Sequence, residues 1–246
     1  MKGVILAGGT GSRLFPLTKV TNKHLLPVGK YPMIFYPIAK MKQANIKDIM
    51  IISGKEHMGD IVNLLGSGYE YGVNLTFRIQ DKPGGIAEAL GLCEDFVGED
   101  KCTVILGDNI FEDNICEYIE RFDYQERGAK VLLKEVIDPS RYGIAEVKEG
   151  QIISIEEKPD YPKSNLCVTG IYMYDNRVFK AINRLEKSQR GELEITDVNN
   201  WYINEGSLTY DVIEGWWIDA GTVNSLMKAN RIVNDIDFKD ILTREM

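Results

Sequence analysis

The residues best suited to chemistry lie in a loop near the start of the chain. A short apolar strand at 3–7 leads into a loop that reaches Arg13, and Lys23 follows ten residues later. The loop contains three glycines, which let the backbone adopt positive φ and approach a ligand closely: Gly8, Gly9 and Gly11. Successive backbone N–H groups in such a turn attract anions. Two cations around a glycine loop suit a polyphosphate, although a tight turn with solvated basic residues gives the same pattern.

Two familiar phosphate loops do not fit this segment. A Walker A loop ends in Gly-Lys-Ser or Gly-Lys-Thr, whereas Gly11 is followed by Ser12 and Arg13. A dinucleotide fingerprint that begins at Gly9 and Gly11 requires glycine where the chain has Leu14. An NAD-binding Rossmann module is therefore disfavoured. The loop predicts phosphate binding but leaves the reaction open.

Two aspartates follow apolar segments at which a strand would end. Asp108 comes directly after the apolar run at 102–107, and Asp219 follows a short apolar segment. In open α/β sheets, ligands bind at the carboxyl ends of the strands. Either aspartate could instead cap the next helix, although Thr222 is better placed to cap the helix after Asp219. Near a phosphate loop, the pair would suit Mg²⁺, which one or two carboxylates hold together with substrate phosphates.

Further polar residues indicate recognition of a base and a sugar. Gln80 ends the strand pattern at 74–79, and its amide carries a donor and an acceptor that could read a base edge beside Gly85. A polar strand end with a flexible turn is the alternative. Glu157 could accept from sugar hydroxyls and Lys158 could neutralise a phosphate. The same two residues also fit a solvated charge run.

Composition excludes several classes of protein. The chain has 246 residues, 44% of them hydrophobic, and a formal net charge of −8, which disfavours binding to nucleic acid or an anionic membrane. No apolar stretch is long enough for a signal peptide or a membrane span. The four cysteines lack metal-site spacing, and two histidines leave little material for a His-based metal site or a Ser-His-Asp triad. We therefore expect a cytoplasmic protein with reduced cysteines.

The alternation of strand and helix patterns predicts the fold. Strands are predicted at 3–7, 48–53, 74–79 and 102–107, with helices near 34–44, 58–66 and 86–96. Beyond residue 128, strands dominate at 131–136, 144–147, 152–155 and 168–174, and helices return near 176–186, 194–205 and 222–235. This rhythm predicts an α/β protein with a doubly wound, mainly parallel, Rossmann-like sheet.

The expected organisation is a single domain, 1–246, without a linker between its two parts. Residues up to about 128 form a nucleotide-binding half, and residues from about 129 form a mixed half for a second substrate. Because no Pro-, Gly- or Ser-rich segment separates them, we expect both halves to share one sheet.

Nine strings of residues, in order over nearly the whole chain, match one family. They are residues 6–14, 23–28, 106–111, 141–143, 156–159, 162–165, 168–170, 190–197 and 218–222. The chain resembles the glucose-1-phosphate thymidylyltransferases, within the sugar-nucleotide pyrophosphorylases. The resemblance implies a nucleotidyltransferase fold of the glycosyltransferase-A-like type. It also implies transfer of thymidylate from dTTP to α-D-glucose 1-phosphate, the first step of dTDP-deoxysugar synthesis.

The resemblance implies roles for individual residues. Cations that neutralise phosphate charge or orient the nucleophile would be Arg13, Lys23 and Lys158. Nucleotide-binding residues would be Gly8, Gly9, Thr10, Gly11, Gln80, Gly85 and Asp108. The sugar phosphate would be enclosed by Tyr142, Gly143, Glu157, Lys158, Val168 and Trp217. Mg²⁺ would be held by Asp108 and Asp219.

The sequence departs from the family pattern at two positions and at its end. His24 stands where glutamine is more usual and Ala220 where threonine is, and neither is expected to touch the chemistry. Longer family members carry a C-terminal extension that helps form a secondary nucleotide site. Feedback regulation through that site is therefore not among the properties that the resemblance implies for these 246 residues. The family expectation is a homo-oligomer, either a dimer or a tetramer.

Two alternative functions stay open at this point. A nucleotidyltransferase that uses UTP or another sugar 1-phosphate is the nearer one, because Gln80 cannot separate thymine from uracil. The two bases differ by one methyl group, which a pocket discriminates by only about 1–3 kcal/mol. A non-catalytic sugar-nucleotide sensor is the second, although a sensor could have lost the acidic residues and cations that are intact here.

Overall fold

The structure, a computed structural model, describes residues 1–233 and 236. Within these residues the chain forms thirteen strands and eight α-helices. The strands are β1 (Lys2–Leu6), β2 (Pro27–Val28), β3 (Tyr31–Pro32), β4 (Asp48–Gly54), β5 (Asn74–Gln80), β6 (Cys102–Leu106), β7 (Asn109–Phe111), β8 (Ala129–Glu135), β9 (Gly143–Lys148), β10 (Gln151–Glu157), β11 (Leu166–Tyr174), β12 (Leu208–Val212) and β13 (Trp217–Asp219). The helices are α1 (Phe35–Gln43), α2 (Met58–Leu65), α3 (Ile86–Gly91), α4 (Glu94–Val97), α5 (Cys116–Asp123), α6 (Arg177–Ile182), α7 (Ile195–Asn204) and α8 (Val223–Ile232).

Nine of the strands form a central sheet with the order β10-β9-β11-β6-β1-β4-β5, to which β8 and β12 attach beside β11. The strands β5, β4, β1 and β6 are parallel, because helices supply the crossovers between them. Beyond β6 the sheet is mostly antiparallel, with β11 antiparallel to β6, β8 and β9. Strands from both sides of residue 128 therefore lie in the same sheet.

The parallel strands are buried on both faces. Val4 and Ile5, successive residues of β1, are fully buried but belong to two different hydrophobic clusters. Side chains alternate between the faces of a strand, so each cluster fills one side of the sheet. This is why the parallel strands are near-continuous apolar runs in the sequence. Their carboxyl ends are held rigidly by this packing.

The helices differ from the sequence prediction in detail. The helix predicted near 86–96 is two short helices, α3 and α4, because the Cys93 N–H bonds the Leu90 carbonyl at 2.9 Å in a tighter turn. The helix predicted near 176–186 ends at Ile182. The helix predicted near 222–235 runs from Val223 to Ile232, and residues 234 and 235 lie outside the described residues. None of the described helices is both long and apolar enough to cross a bilayer.

A small ribbon of β7 and β13 was not predicted. These two three-residue strands pair antiparallel, with Asp219 opposite Asn109. The Ala220 N–H also bonds the Asp108 carbonyl at 2.8 Å. The ribbon thereby brings two segments that lie far apart in the sequence to the carboxyl end of β6.

Candidate active site

A cleft of about 370 Å³ opens at the carboxyl ends of β1 and β6. Of the residues predicted to form the site, Thr10 and Gly11 lie outside its lining. All the others line it: Gly8, Gly9, Arg13, Lys23, Gln80, Gly85, Asp108, Tyr142, Gly143, Glu157, Lys158, Val168, Trp217 and Asp219. The topology thus gathers residues from the whole length of the chain into one crevice, as expected for a parallel sheet.

The glycine loop after β1 has two positions with positive φ. Gly9 has φ +94° and has no heavy atom within 4 Å of a hypothetical Cβ, so its backbone faces open space in the cleft. Gly11 has φ +63°, and a Cβ there would lie 2.8 Å from Thr18 Cγ2. The Gly11 carbonyl accepts from the Thr18 hydroxyl at 2.8 Å. Gly9 is therefore placed to admit a ligand, whereas Gly11 is required by the packing of the loop itself.

The two aspartates predicted to bind a metal lie together. The position that a Cβ would take on Gly221 is 2.8 Å from Asp219 Oδ1 and 3.4 Å from Asp108 Oδ2. It is also 3.0 Å from a guanidinium nitrogen of Arg13. Lys23 Nζ forms an ion pair with Asp108 Oδ2. Both carboxylates and both cations therefore converge on one point beside the glycine loop.

Neither aspartate acts as the cap of a helix. Asp108 accepts from Lys23 and from the Asn109 side chain. The Thr222 hydroxyl caps α8 by accepting from the Ser225 N–H at 3.2 Å, as predicted. Asp219 accepts from the Gly221 N–H at 2.9 Å, which leaves its other oxygen for the cleft.

Burial and neighbouring charges move the pKa values of the two carboxyls in opposite directions. Burial alone would raise the pKa of Asp108, but the Lys23 ammonium and the hydrogen bonds of Asp108 hold its pKa well below the usual range. Burial, followed by the negative charge of Asp108, raises the pKa of Asp219. A cation bound beside Asp219 would therefore favour its charged form.

The donor set fits a hard divalent cation. Among residues 1–233 and 236, no group of three or more His, Cys, Asp and Glu side chains is arranged to hold a metal. Asp108 and Asp219 provide carboxylate oxygens only, and the cleft leaves room for the remaining ligands. Mg²⁺ is typically bound by one or two carboxylates, with water and substrate phosphates completing the shell.

His24 and Ala220, the two departures from the family pattern, lie beneath the site. His24 is buried, and its Nδ1 lies 2.6 Å from Asn22 Oδ1. Burial and the adjacent Lys23 charge lower the pKa of His24 to about 3, so its imidazole is neutral at pH 7. Ala220 is fully buried, and its backbone N–H donates to the backbone carbonyl of Asp108.

The far wall of the cleft carries the residues predicted to enclose a sugar. The rings of Tyr142 and Trp217 meet edge to face with centroids 5.5 Å apart. Glu157 Oε2 accepts from the Thr196 hydroxyl at 2.9 Å, and Glu157 Oε1 lies 3.2 Å from Lys158 Nζ. Both residues line the cleft, with side chains that are 29% exposed for Glu157 and 46% exposed for Lys158.

Lys158 has a strained backbone. Its φ is +46°, and it precedes Pro159, a position that disfavours helical conformations. The Lys158 N–H is held by the Tyr142 carbonyl at 3.0 Å. Strain of this kind persists only where the surroundings enforce it and is concentrated at functional sites.

Sequence reasoning assigned no role to Asn109 or to two residues of β11, Gly170 and Tyr172. Asn109 is buried, and its Oδ1 accepts from the Trp217 indole at 2.7 Å and from the Gly170 N–H at 3.0 Å. Its Nδ2 donates to Asp108 Oδ1 at 3.1 Å, so one amide joins the acidic pair to the aromatic wall. Alternate residues of β11 line the cleft, a period of two that the sequence carried: Val168, Gly170 and Tyr172.

Five further lining residues were given no role from the sequence, although all of them except Asn199 fall in the matching strings 141–143 and 190–197. They come from the segment before α7, from α7 itself and from the turn before β9, and include Arg141, Glu192, Ile195, Thr196 and Asn199. Their position depends on how α7 packs against the second half of the sheet.

Comparison with known proteins identifies relatives of the whole chain. Residues 2–236 match the nucleotidyl transferase family. A glucose-1-phosphate thymidylyltransferase from Neisseria meningitidis is 41% identical over 240 residues, which are 96% of this chain and 83% of that protein. A low-salt glycan biosynthesis nucleotidyltransferase from Haloferax volcanii is 43% identical over 95% of this chain, which spans only 66% of its length.

Solved structures show the same architecture. A crystal structure of a candidate glucose-1-phosphate thymidylyltransferase from Bacillus anthracis, in complex with sucrose, is 64% identical. It superposes with a TM-score of 0.94 over 97% of both chains. A UDP-glucose pyrophosphorylase bound to UDP-glucose superposes with a TM-score of 0.84 at 21% identity over 94% of this chain and 97% of the other, a likeness of fold alone.

Proposed function

The chain belongs to the nucleotidyl transferase family, and we propose that it transfers thymidylate from dTTP to α-D-glucose 1-phosphate, releasing pyrophosphate. Curated relatives at 41–43% identity carry this activity in their names, which supports dTTP and glucose 1-phosphate as the substrates. The fold and the enzyme class follow from the family. The identity of the two substrates is the proposed part.

One observation carries the proposal. The convergence of Asp108, Asp219, Lys23 and Arg13 lies between the glycine loop and the wall of Tyr142, Glu157 and Lys158. A nucleotidyl transfer must bring two anions together, because the sugar phosphate attacks a triphosphate. A cleft with two cations beside an acidic pair meets that requirement. Positioning and charge neutralisation are the main sources of catalysis in such transfers.

The proposed mechanism assigns a task to each group of residues. Backbone N–H groups of the glycine loop bind the triphosphate, and Arg13 and Lys23 neutralise its charge. Lys158 holds the sugar phosphate, whose oxygen forms a bond to the α-phosphorus while the bond to the β-phosphate oxygen breaks. The phosphate dianion is already a nucleophile at pH 7, so the reaction requires no general base. Pyrophosphate leaves with both electrons of the broken bond.

We propose that Asp108 and Asp219 hold Mg²⁺ in this site. When bound, the ion supplies positive charge to the phosphates that the two cations alone do not neutralise. Burial and the negative charge of Asp108 raise the pKa of Asp219 even with Lys23 and Arg13 nearby, so a bound cation would favour the charged form of Asp219. We also expect a homo-oligomer, which sedimentation equilibrium measures directly.

A panel of pyrophosphate-release assays tests the proposal. The donors are dTTP, UTP, CTP and ATP, and the acceptors are the 1-phosphates of glucose, galactose and mannose, each with and without Mg²⁺. We expect the highest kcat/KM with dTTP and glucose 1-phosphate, measurable turnover with UTP, and loss of activity after chelation that Mg²⁺ restores. A clear preference for ATP, or full activity in excess chelator, would contradict it.

A further inference from the structure

The side-chain amide of Gln80 is held in one orientation by its neighbours. Gln80 Nε2 donates to Glu88 Oε1 at 3.1 Å and to the Gly85 carbonyl at 3.3 Å. An amide nitrogen has two N–H donors, so both are used. Turning the amide over would bring its oxygen against a carboxylate and a carbonyl, neither of which has a proton to donate. The amide oxygen is therefore the atom that Gln80 leaves for a ligand.

The amide oxygen faces the glycine loop. Gln80 Oε1 lies 3.2 Å from the position that a Cβ would take on Gly8, and Gln80 itself is 8% exposed. Nearby in the sequence, Pro83 and Ile86 contribute apolar side chains to the cleft lining, and Gly85 contributes backbone. A base seated here thus meets a hydrogen-bond acceptor fixed in a largely apolar surround.

Local structure explains why a carboxylate can stand at position 88. Glu88 lies in the first turn of α3, where the helix dipole favours a negative charge. A Cβ on Gly84 would lie 1.8 Å from Glu88 Oε2, so the missing side chain of Gly84 makes room for the carboxylate. Gly84 does not have a positive φ, and the three atoms nearest to a Cβ there would all belong to the Glu88 carboxylate, at the end of a flexible side chain.

We propose that Glu88 is a specificity-determining residue, because it fixes the Gln80 amide so that only its oxygen faces the base. Such a site selects bases that present an N–H at that edge. Thymine and uracil carry N3–H, whereas N3 of cytosine is an acceptor and would oppose the amide oxygen. The assignment rests on the proposed function, since it concerns a pyrimidine nucleotide as donor. In this assignment, Glu88 and Gln80 select for the N3–H of the base, and recognition of the thymine methyl group is a separate matter.

Three donors that differ only in the base test the assignment: dTTP, dUTP and dCTP, each with glucose 1-phosphate. Glu88→Met keeps the length of the side chain but removes the acceptor, so the Gln80 amide is free to turn. We expect the dUTP-to-dCTP ratio of kcat/KM to fall about tenfold, the effect of roughly one net hydrogen bond. The dTTP-to-dUTP ratio should stay unchanged, because those bases share the same edge. Glu88→Gln, whose side-chain oxygen still accepts, should restore most of the dUTP-to-dCTP ratio.

A second variant reaches the same contact differently. Gly84→Ala should displace the Glu88 carboxylate without altering its chemistry, and it should lower the dUTP-to-dCTP ratio as Glu88→Met does. It serves as the test if Glu88→Met does not fold. Glu94→Met, at an exposed carboxylate on the following helix, is the matched control and should leave both ratios as in the wild type. If Glu88→Met and Gly84→Ala lower activity equally with all three donors, the specificity role of Glu88 is overturned, while the proposed function still stands. No turnover of dTTP by the wild-type protein would overturn the proposed function as well.

Discussion

The two walls of the cleft hold their charges in different ways. On the nucleotide side, Lys23 is paired with Asp108, which follows the buried parallel strand β6, and their side chains are only 14% and 9% exposed. On the sugar side, Lys158 and Glu157 are paired with side chains 46% and 29% exposed. Charges that are excluded from water act more strongly than solvated ones and are screened less by salt. The nucleotide wall is thus built for electrostatic stabilisation, and the sugar wall for recognition by hydrogen bonds.

The elements behind the two walls account for this contrast. Strands β1 and β6 are covered on both faces, and the ribbon of β7 and β13 adds a second rigid support under Asp219. Glu157 ends β10, whose strand pairing is with β9, and it is fixed by Thr196 and approached by Arg190 at 3.6 Å. Removing a charge on the buried nucleotide wall should therefore lower activity more than removing one on the more exposed sugar wall.

The largest expected effect is on the acidic pair. Asp108→Asn or Asp219→Asn should each lower kcat about 10²- to 10³-fold, the loss typical of one preorganised electrostatic group. Steady-state pyrophosphate release measures it, with circular dichroism to show that the fold is intact. Asp211→Asn is the matched control, because Asp211 pairs with the buried Lys130 outside the cleft lining. It should cost stability while sparing kcat, and near-normal turnover by both active-site variants would contradict the assignment.

A smaller effect is expected at the exposed wall. Lys158→Met should lower kcat/KM for glucose 1-phosphate about 10- to 100-fold, because one charge-assisted hydrogen bond is lost from a partly solvated site. In the wild type, the KM for glucose 1-phosphate should rise with added salt, and this dependence should weaken in the variant. Lys163→Met removes a surface lysine that pairs with Glu146 and serves as the control. A loss as large as that of Asp108→Asn would remove the contrast between the walls.

The link between the walls is open to a milder test. Trp217→Phe keeps an aromatic ring beside Tyr142 but removes the indole N–H that bonds Asn109. We expect a rise of about threefold to tenfold in KM for glucose 1-phosphate, the size of one hydrogen bond, with little change in KM for dTTP. Initial-rate kinetics with each substrate varied in turn measure the two constants. Trp201→Phe, at a tryptophan outside the cleft lining, is the control and should change neither KM. Equal changes in both KM values for Trp217→Phe would contradict the separation of the nucleotide wall from the sugar wall.

The smallest expected effect is on stability and concerns the buried wall alone. The pKa of His24 is lowered to about 3 in the folded protein from an ordinary value of 6.5, so the unfolded state binds more protons between those values. His24 therefore lowers the unfolding free energy as the pH falls from about 6.5 towards 3, with a slope of at most about 1.4 kcal/mol per pH unit. Urea titrations at pH 7.5, 6.0 and 5.0 measure this slope. His24→Gln should reduce it while His57→Gln serves as the control, and an unchanged slope in His24→Gln would show that His24 is not the source.

Sequence reasoning reached the parts of the site that short segments specify. The glycine loop, the strand ends at Gln80 and Asp108, and the cap at Thr222 each carry a local pattern. Sequence reasoning missed contacts between distant segments. Examples are the strand pairing of Asp219 with Asn109 and the close approach of the Leu193 backbone to Gly85. A three-residue strand is too short to show alternation, so β7 and β13 gave no signal of their own. The face of β11 that carries Gly170 and Tyr172 did show a period of two, which is visible in the sequence once its register is known.

Phosphorus-31 NMR of the complete reaction tests the central claim most directly. The wild-type protein is incubated with Mg²⁺, dTTP and glucose 1-phosphate, and the phosphorus signals are followed to completion. We predict that the dTTP and glucose 1-phosphate signals fall together, while those of a sugar-nucleotide diphosphate and of pyrophosphate rise in equal amounts. Pyrophosphate that appears while glucose 1-phosphate stays unchanged would mean hydrolysis instead of transfer, and would contradict a cleft built to join two anions.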